Sequence, residues 1–482
     1  MNIFKKIVIL LCFVPYSAYA ACIGSSPNLT AASPARADVA DCVMKATEGD
    51  TISIPAGSAT WTSGLAMSKF IRLVGAGAGK TVLTSNWTPG EKITDAAYII
   101  SWNPSNPSLN LPFGVSGITF DLADKTCGFK VTNSSSSPIT KLRVNNNVFR
   151  NTLNSNGQRT FFIDGNIYGV IDSNTMDAGG PIYGKNANWS AMSFSYGTGD
   201  QLFIEDNTFN TTSSGVAGGG VGGRYCARYN TITRNSAKVM LQAYEYHGNQ
   251  PGANNAGMGM ELYGNKIINT SGSSLSVQLF DHRGGMSVAH HNYVDAGVGA
   301  SVWAKMREEY VDDVNAGEPP VGLTGQPQHV YWSYYWLNQK NGTTFDLDIG
   351  NTVTYPTSGE GLLPTDLGRT IPEWNVDAWK GVSPFDGTSG VGCGTLLNRP
   401  STCTAGVGYW ATNQSCSDLT GMVGSSPATP ISGTLYKCTS TNKWTAYYTP
   451  YTYPHPLRSQ QNGEVPAYTP PQSPTGLQIV LN

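Results

Sequence analysis

The chain has 482 residues, a net charge of -2 and only 13% charged residues, so it lacks the basic surface that nucleic-acid binding requires. Its 55 glycines and 24 tyrosines favour strands joined by tight turns over long helices. No stretch after the N-terminus is apolar enough to span a bilayer.

The opening MNIFKKIVILLCFVPYSAYA joins Lys5 and Lys6 to an apolar run from Ile7 to Val14 and the small-x-small triplet Ala18-Tyr19-Ala20. This predicts a secretory signal over 1–20 and a mature chain from Ala21, placed outside the cell, at its surface or in the periplasm. Tyr19, three residues before Cys22, argues against a lipoprotein signal. Cys12 leaves with the signal, and the eight cysteines that remain are an even number, as disulfides in an exported chain require. No CxxC or Cys-His spacing suggests zinc.

A short amphipathic helix is predicted from Ala35 to Ala46, with Val39, Cys42, Val43 and Ala46 on one stripe. Strands follow at Thr51 to Ile54, Ile71 to Val74 and Thr81 to Leu83, between Gly-rich turns. The chain then repeats itself. LRVNNNVF, YGVIDSNTM, LFIEDNTF, YCARYNTI, MELYGNKI and SVAHHNYV share a β-run, an Asn and a short pair, with the Asn at 147, 174, 207, 230, 265 and 292. A fixed motif with elastic spacing indicates a solenoid whose coils carry variable loops. Asn suits such a rung, because it tolerates a left-handed turn and its side chain can bond from coil to coil. FGVSGITF near Gly117 reads as an earlier coil and FDLDIGNTV near Asn351 as a later one.

The helix, GDTISIPAGSATW, IRLVGAGAGKT and the Asn repeats together resemble the pectate-lyase-like right-handed parallel β-helix superfamily, over roughly residues 35 to 355. The resemblance implies an all-β solenoid over 21–375 with an N-terminal capping helix. It also implies an extracellular polysaccharide partner, acidic in much of the superfamily. It does not select an activity: the architecture serves lyases, hydrolases, epimerases and non-catalytic surface proteins. The polygalacturonase-like paired aspartates and the clustered calcium ligands of a typical pectate lyase are both missing.

Residues 376–482 differ in character, being rich in Cys, Thr, Ser and aromatics. They read as a cap on the last coil or as a small disulfide-stapled module, with Cys393, Cys403, Cys416 and Cys438 open to three connectivities. Cys22 is expected to pair with Cys42, since no other cysteine is near either in sequence, and Cys127 and Cys226 to stay reduced.

Counting back from the repeat Asn brings Arg224 and the triplet Asp281-His282-Arg283 to one edge of the solenoid, with His247 on a long insertion. Turn residues are where functional groups of a solenoid collect. β-Elimination from a uronate needs a cation on the carboxylate and a base for the C5 proton. Arg224 and Arg283 suit the first role, His247 or His282 the second, and Tyr225 can donate a proton. Hydrolysis would need two facing carboxylates, for which Glu261 with Asp281 is the best pair. Trp332 and Trp336, in HVYWSYYWLNQ, either stack on sugar rings or pack under the C-terminal segment. His290 and His291 read as scaffold, one facing in and one out. The sequence commits to no cofactor; calcium is the one ion it leaves room for, at Glu308, Glu309, Asp312 and Asp313. The leading expectation is a secreted polysaccharide-binding protein with lyase-like chemistry, the rival a non-catalytic surface or matrix protein.

Overall fold

The computed structural model describes residues 22–89, 97–152, 159–177, 182–185, 195–211, 215–220, 222–234, 240–248, 256–272, 276–297, 301–306, 330–345, 347–349 and 372–459. The expected signal segment and the acidic run at 308–313 lie outside them. Within them the chain forms three sheets of 13, 11 and 10 strands and, from Thr51–Ile54 to Gln339–Lys340, passes in turn from the third to the first to the second. Apart from the end strands Ile23–Ser25 and Thr343–Thr344, which pair antiparallel, each strand pairs in parallel with its counterpart one coil away, as Leu202–Glu205 does with Arg224–Arg228. This is a parallel β-helix.

Period-two alternation turns one set of side chains inward from all three sheets. Phe120, Phe129, Phe149 and Phe161 fill one stretch of the core, with ring centroids 5.0–5.3 Å apart. Such contacts add to plain area burial. At the N-terminal end the helix Arg36–Lys45 buries Val39 and Cys42 and contacts Thr51–Ile54, Gly57–Trp61 and Leu65–Met67, one strand from each sheet. A disulfide joins Cys42 to Cys22. Cys127 and Cys226 are free and buried.

The repeat asparagines occupy the corner between the first and second sheets and form a continuous ladder. Each Nδ2 donates to the next Oδ1, from Asn147 through Asn174, Asn207, Asn230, Asn265 and Asn292, at 2.9–3.1 Å. The left-handed conformation belongs to the residue before each Asn, not to the Asn: Asn146, Ser173, Asp206, Tyr229 and His291 have φ of 52–56°. The next rung is Asn338, which accepts from Asn292 at 2.8 Å. Asn351, expected to carry a later coil, lies outside the described residues, and the neighbouring Leu347–Ile349 belongs to the third sheet.

The C-terminal region forms a four-stranded sheet from Val391–Gly394, Gly408–Ala411, Thr434–Ser440 and Lys443–Tyr448. It is stapled by Cys393–Cys416 and Cys403–Cys438. The chain then runs back as a strap, residues 449–458, along the outer face of the first sheet. Arg228 donates to the carbonyls of Tyr451 and Thr452, and Arg143, farther toward the N-terminal end, to those of Leu457 and Arg458.

Candidate functional site

Each sheet also presents an outward row of side chains, and the first and third differ sharply in what covers them. On the first sheet the row Asp172, Glu205, Arg228, Tyr263, His290 and Trp336 follows from strand register. All six are buried, because the strap and the C-terminal sheet lie on them. Charges there are satisfied internally. Arg228 pairs with Glu205 at 2.6 Å, and Arg458 of the strap reaches Glu205 at 2.9 Å, Asp172 at 3.3 Å and Asp206. The His455 backbone N–H donates to Glu205 at 2.9 Å. His290 is stacked on Trp336 at 4.3 Å and hydrogen-bonded to His291 and Tyr448. Burial holds both histidines far below the usual range.

The third sheet keeps an accessible face. Lys130, Phe162, Tyr183, Gly218, Glu245, Asp281 and Lys305 are neighbours on successive strands. His247 and Arg283 follow two residues after Glu245 and Asp281, on the same side. Glu245 is the hub. Its Oε1 takes the Arg283 Nη2–H at 2.6 Å and also contacts His247 Nε2. The 3.4 Å between Arg283 Nη2 and His247 Nε2 is what two donors converging on one oxygen produce. Arg283 Nε lies 3.6 Å from Asp281 Oδ2, so one guanidinium stands between carboxylates on adjacent coils.

Glycine shapes the ground beside this cluster. Between Tyr183 and Glu245 the intervening strand is Ala217–Gly220. A Cβ at Gly220 would come within 2.5 Å of the Tyr183 hydroxyl and 3.2 Å of His247 Cβ. The missing side chains let the Tyr183 ring lie across the strand, 6.2 Å from the His247 ring and 6.2 Å from Phe162, with which it stacks. Arg159 sits 3.8 Å from the Tyr183 centroid, a cation–aromatic contact. It makes no ion pair among the described residues.

The structure therefore brings together His247, Asp281 and Arg283 of the expected residues, and separates the others. His282 alternates inward, fully buried and bonded to Ser287 Oγ at 3.0 Å; burial lowers its pKa to about 4. Tyr225 is also in the core, donating to the Glu245 carbonyl at 3.0 Å, and its hydroxyl is pushed well up by burial. Arg224 lies at 4.8 Å over Tyr168, 6% exposed, with its pKa drawn down to about 10 by burial. Glu261 is no partner for Asp281. It faces outward from the first sheet, under the C-terminal region, where it accepts from the Gly197 N–H and Gln201 Nε2, both at 2.7 Å. Burial raises its pKa to about 7. Trp336 is 1% exposed. Trp332 keeps 39% exposure but stacks on Trp379, with the Lys437 ammonium 2.9 Å over its ring. Both tryptophans serve the C-terminal packing.

Tyr183, Arg159 and Glu245 are not legible as site residues in the sequence. Their shared face follows from register across coils of unequal length. Among the described residues no group of three or more His, Cys, Asp or Glu could hold a metal ion, and no helix is long and apolar enough to cross a membrane.

No family model and no curated protein matches the chain. Solved structures similar to it include ORF18 of Geobacillus virus E2, at 12% identity and a TM-score of 0.36, covering 56% of this chain and 59% of that one. The chain thus spans less than two thirds of that protein. A second is the catalytic unit of a thermostable GH87 α-1,3-glucanase from Streptomyces thermodiastaticus, at 15% identity and a TM-score of 0.33, covering 70% and 67%. A third is a pectin methylesterase in complex with a hexasaccharide, at 12% identity and a TM-score of 0.31, covering 69% and 94%.

Proposed function

We propose that this is a secreted protein of the pectate-lyase-like kind that binds an acidic extracellular polysaccharide on the outer face of its third sheet and cleaves it by β-elimination. One observation carries the reading: partly exposed His247 and Glu245 stand on the accessible face, beside a tyrosine–arginine shelf and backed by the buried Asp281 and Arg283. Arg283 is already held by Glu245 and Asp281, so its role is to position them. Arg159 takes the substrate carboxylate instead, by the charge-assisted contacts that arginine makes with carboxylates. With His247 Nε2–H directed at Glu245, Nδ1 is left as the basic nitrogen. It removes the C5 proton, the C4–C5 double bond forms as the C4–O4 bond breaks, and the leaving oxygen takes a proton from water.

A second reading, hydrolysis, is favoured by Glu245 and Asp281 standing side by side on adjacent strands, since glycosidases work with paired carboxylates. Incubation with a panel of uronic-acid polymers separates the two. Elimination yields an unsaturated, ultraviolet-absorbing end with each new reducing end, and hydrolysis yields reducing ends alone. His247→Ala should abolish turnover, and Arg159→Gln should raise KM more than it lowers kcat. Binding without cleavage of any polymer would leave a non-catalytic adhesin.

A further inference from the structure

A cavity of about 270 Å³ lies on the outer face of the first sheet, just beyond the point where the strap ends. Strand register puts Arg72, Gly114 and Arg143 side by side on three coils. Gly114 is the floor. Its φ is 153°, and any Cβ there would collide with the Arg143 carbonyl, so no side chain can fill the space. Leu457 of the strap closes one side.

The cations around this floor are not equivalent. Arg143 is fully engaged: Nε and Nη2 each lie 3.0 Å from a carboxylate oxygen of Asp172, and Nη1 serves two strap carbonyls. Arg72 and Lys141 line the same cavity, yet among the described residues neither side chain makes an ion pair or hydrogen bond. Half-buried cations at a cavity are usually paired with something. Ser116 and Asn145 add neutral polar groups to the lining.

We propose that this pocket binds the anionic group of a single acidic sugar unit, with Arg72 and Lys141 clamping the carboxylate and Ser116 and Asn145 meeting ring hydroxyls. Its volume is just below the roughly 300–1,000 Å³ of drug-sized ligand pockets, which fits one ring rather than a chain. The pocket lies on a different face from the His247 cluster, so it is a separate anchoring point. The choice of a sugar acid over another anion rests on the polysaccharide reading; the preference for an anion does not.

Calorimetric titration of the full chain with galacturonate, galactose and inorganic sulfate tests this. Galacturonate should bind and galactose should not, and the double variant Arg72→Gln/Lys141→Gln should weaken galacturonate at least tenfold. His247→Ala should leave that binding event unchanged, which keeps the two sites distinguishable even if no polymer is cleaved. An unchanged thermal melt would show the double variant folded. Galacturonate binding that the double substitution leaves undiminished in an Arg159→Gln background overturns the pocket, and sulfate binding as tightly as galacturonate overturns the sugar.

Discussion

Replacing Asn230 with Ala removes the middle of the asparagine ladder. Its Oδ1 accepts from the Asn207 backbone N–H at 3.0 Å and from Asn207 Nδ2 at 3.1 Å. Its Nδ2 donates to the Ile204 carbonyl at 2.8 Å and to Asn265 Oδ1 at 2.9 Å. All four bonds are buried. At about 1 kcal/mol net each they sum to roughly 4 kcal/mol. The loss is softened where partners keep others: Asn207 Nδ2 retains two carbonyls, and Asn265 Oδ1 retains the residue-230 N–H. Asn230→Ala should therefore cost about 3 kcal/mol. Asn210→Ala is the control, since its bond to Asp177 is only partly buried and should contribute less than about 1 kcal/mol. Urea unfolding followed by circular dichroism measures both, provided the slope with denaturant is unchanged. A loss at Asn230 no larger than at Asn210 would refute the ladder as a stabilising device.

Glu261→Gln should stabilise the protein at high pH. Burial raises the Glu261 pKa from 4.5 to about 7, so the folded state holds this proton more tightly than the unfolded state. The stability it contributes is fully present below about pH 4.5 and is lost as pH rises through about 7. Gln keeps the neutral shape, and its advantage should grow to about 2–3 kcal/mol by about pH 8; melting curves that run parallel across this range would contradict it. Arg458→Ala removes the cation that the strap sends to three carboxylates and should cost about 3 kcal/mol. It should also expose the strap to limited proteolysis, and an unchanged digestion pattern counts against the latch. Arg283 is 7% exposed and bridges Glu245 and Asp281, so Arg283→Ala should lower stability by about 1–3 kcal/mol. Arg283→Lys should recover part of that but not the activity, and full rescue by Lys would mean that the planar fork is not needed.

The solenoid was readable because a ladder needs the same residue at the same corner of every coil, and Asn147 to Asn292 supply it. The seventh rung escaped because the step from Asn292 to Asn338 spans 46 residues, well outside the spacing of the others. The placement of His282 and Tyr225 failed for another reason. For His282, a shift of one residue in a strand turns a side chain to the opposite face, and counting from Asn292 across the turn could not fix that parity; Tyr225 sits in the strand next to Asn230, where alternation turns it inward beside the outward Arg224. Trp332 and Trp336 show a third limit. The sequence leaves open whether they stack on sugar rings or pack under the C-terminal segment, because nothing local to them says which distant segment will lie on top.

That covering segment is what divides the molecule chemically. Asp172, Glu205, Arg228 and His290 on the first sheet are the same residue types as Asp281, Glu245, Arg283 and His247 on the third, and sequence composition cannot rank one set above the other. Under the strap every charge meets a fixed partner, and burial depresses the histidines until they cannot take up a proton near neutrality. On the third sheet the Ala217–Gly220 strand leaves the floor open, and His247 and Glu245 keep 22% and 31% side-chain exposure. A histidine can exchange protons with a substrate only where one can reach it. The accessible face that the C-terminal strap does not cover is therefore the one to which the proposed chemistry is assigned.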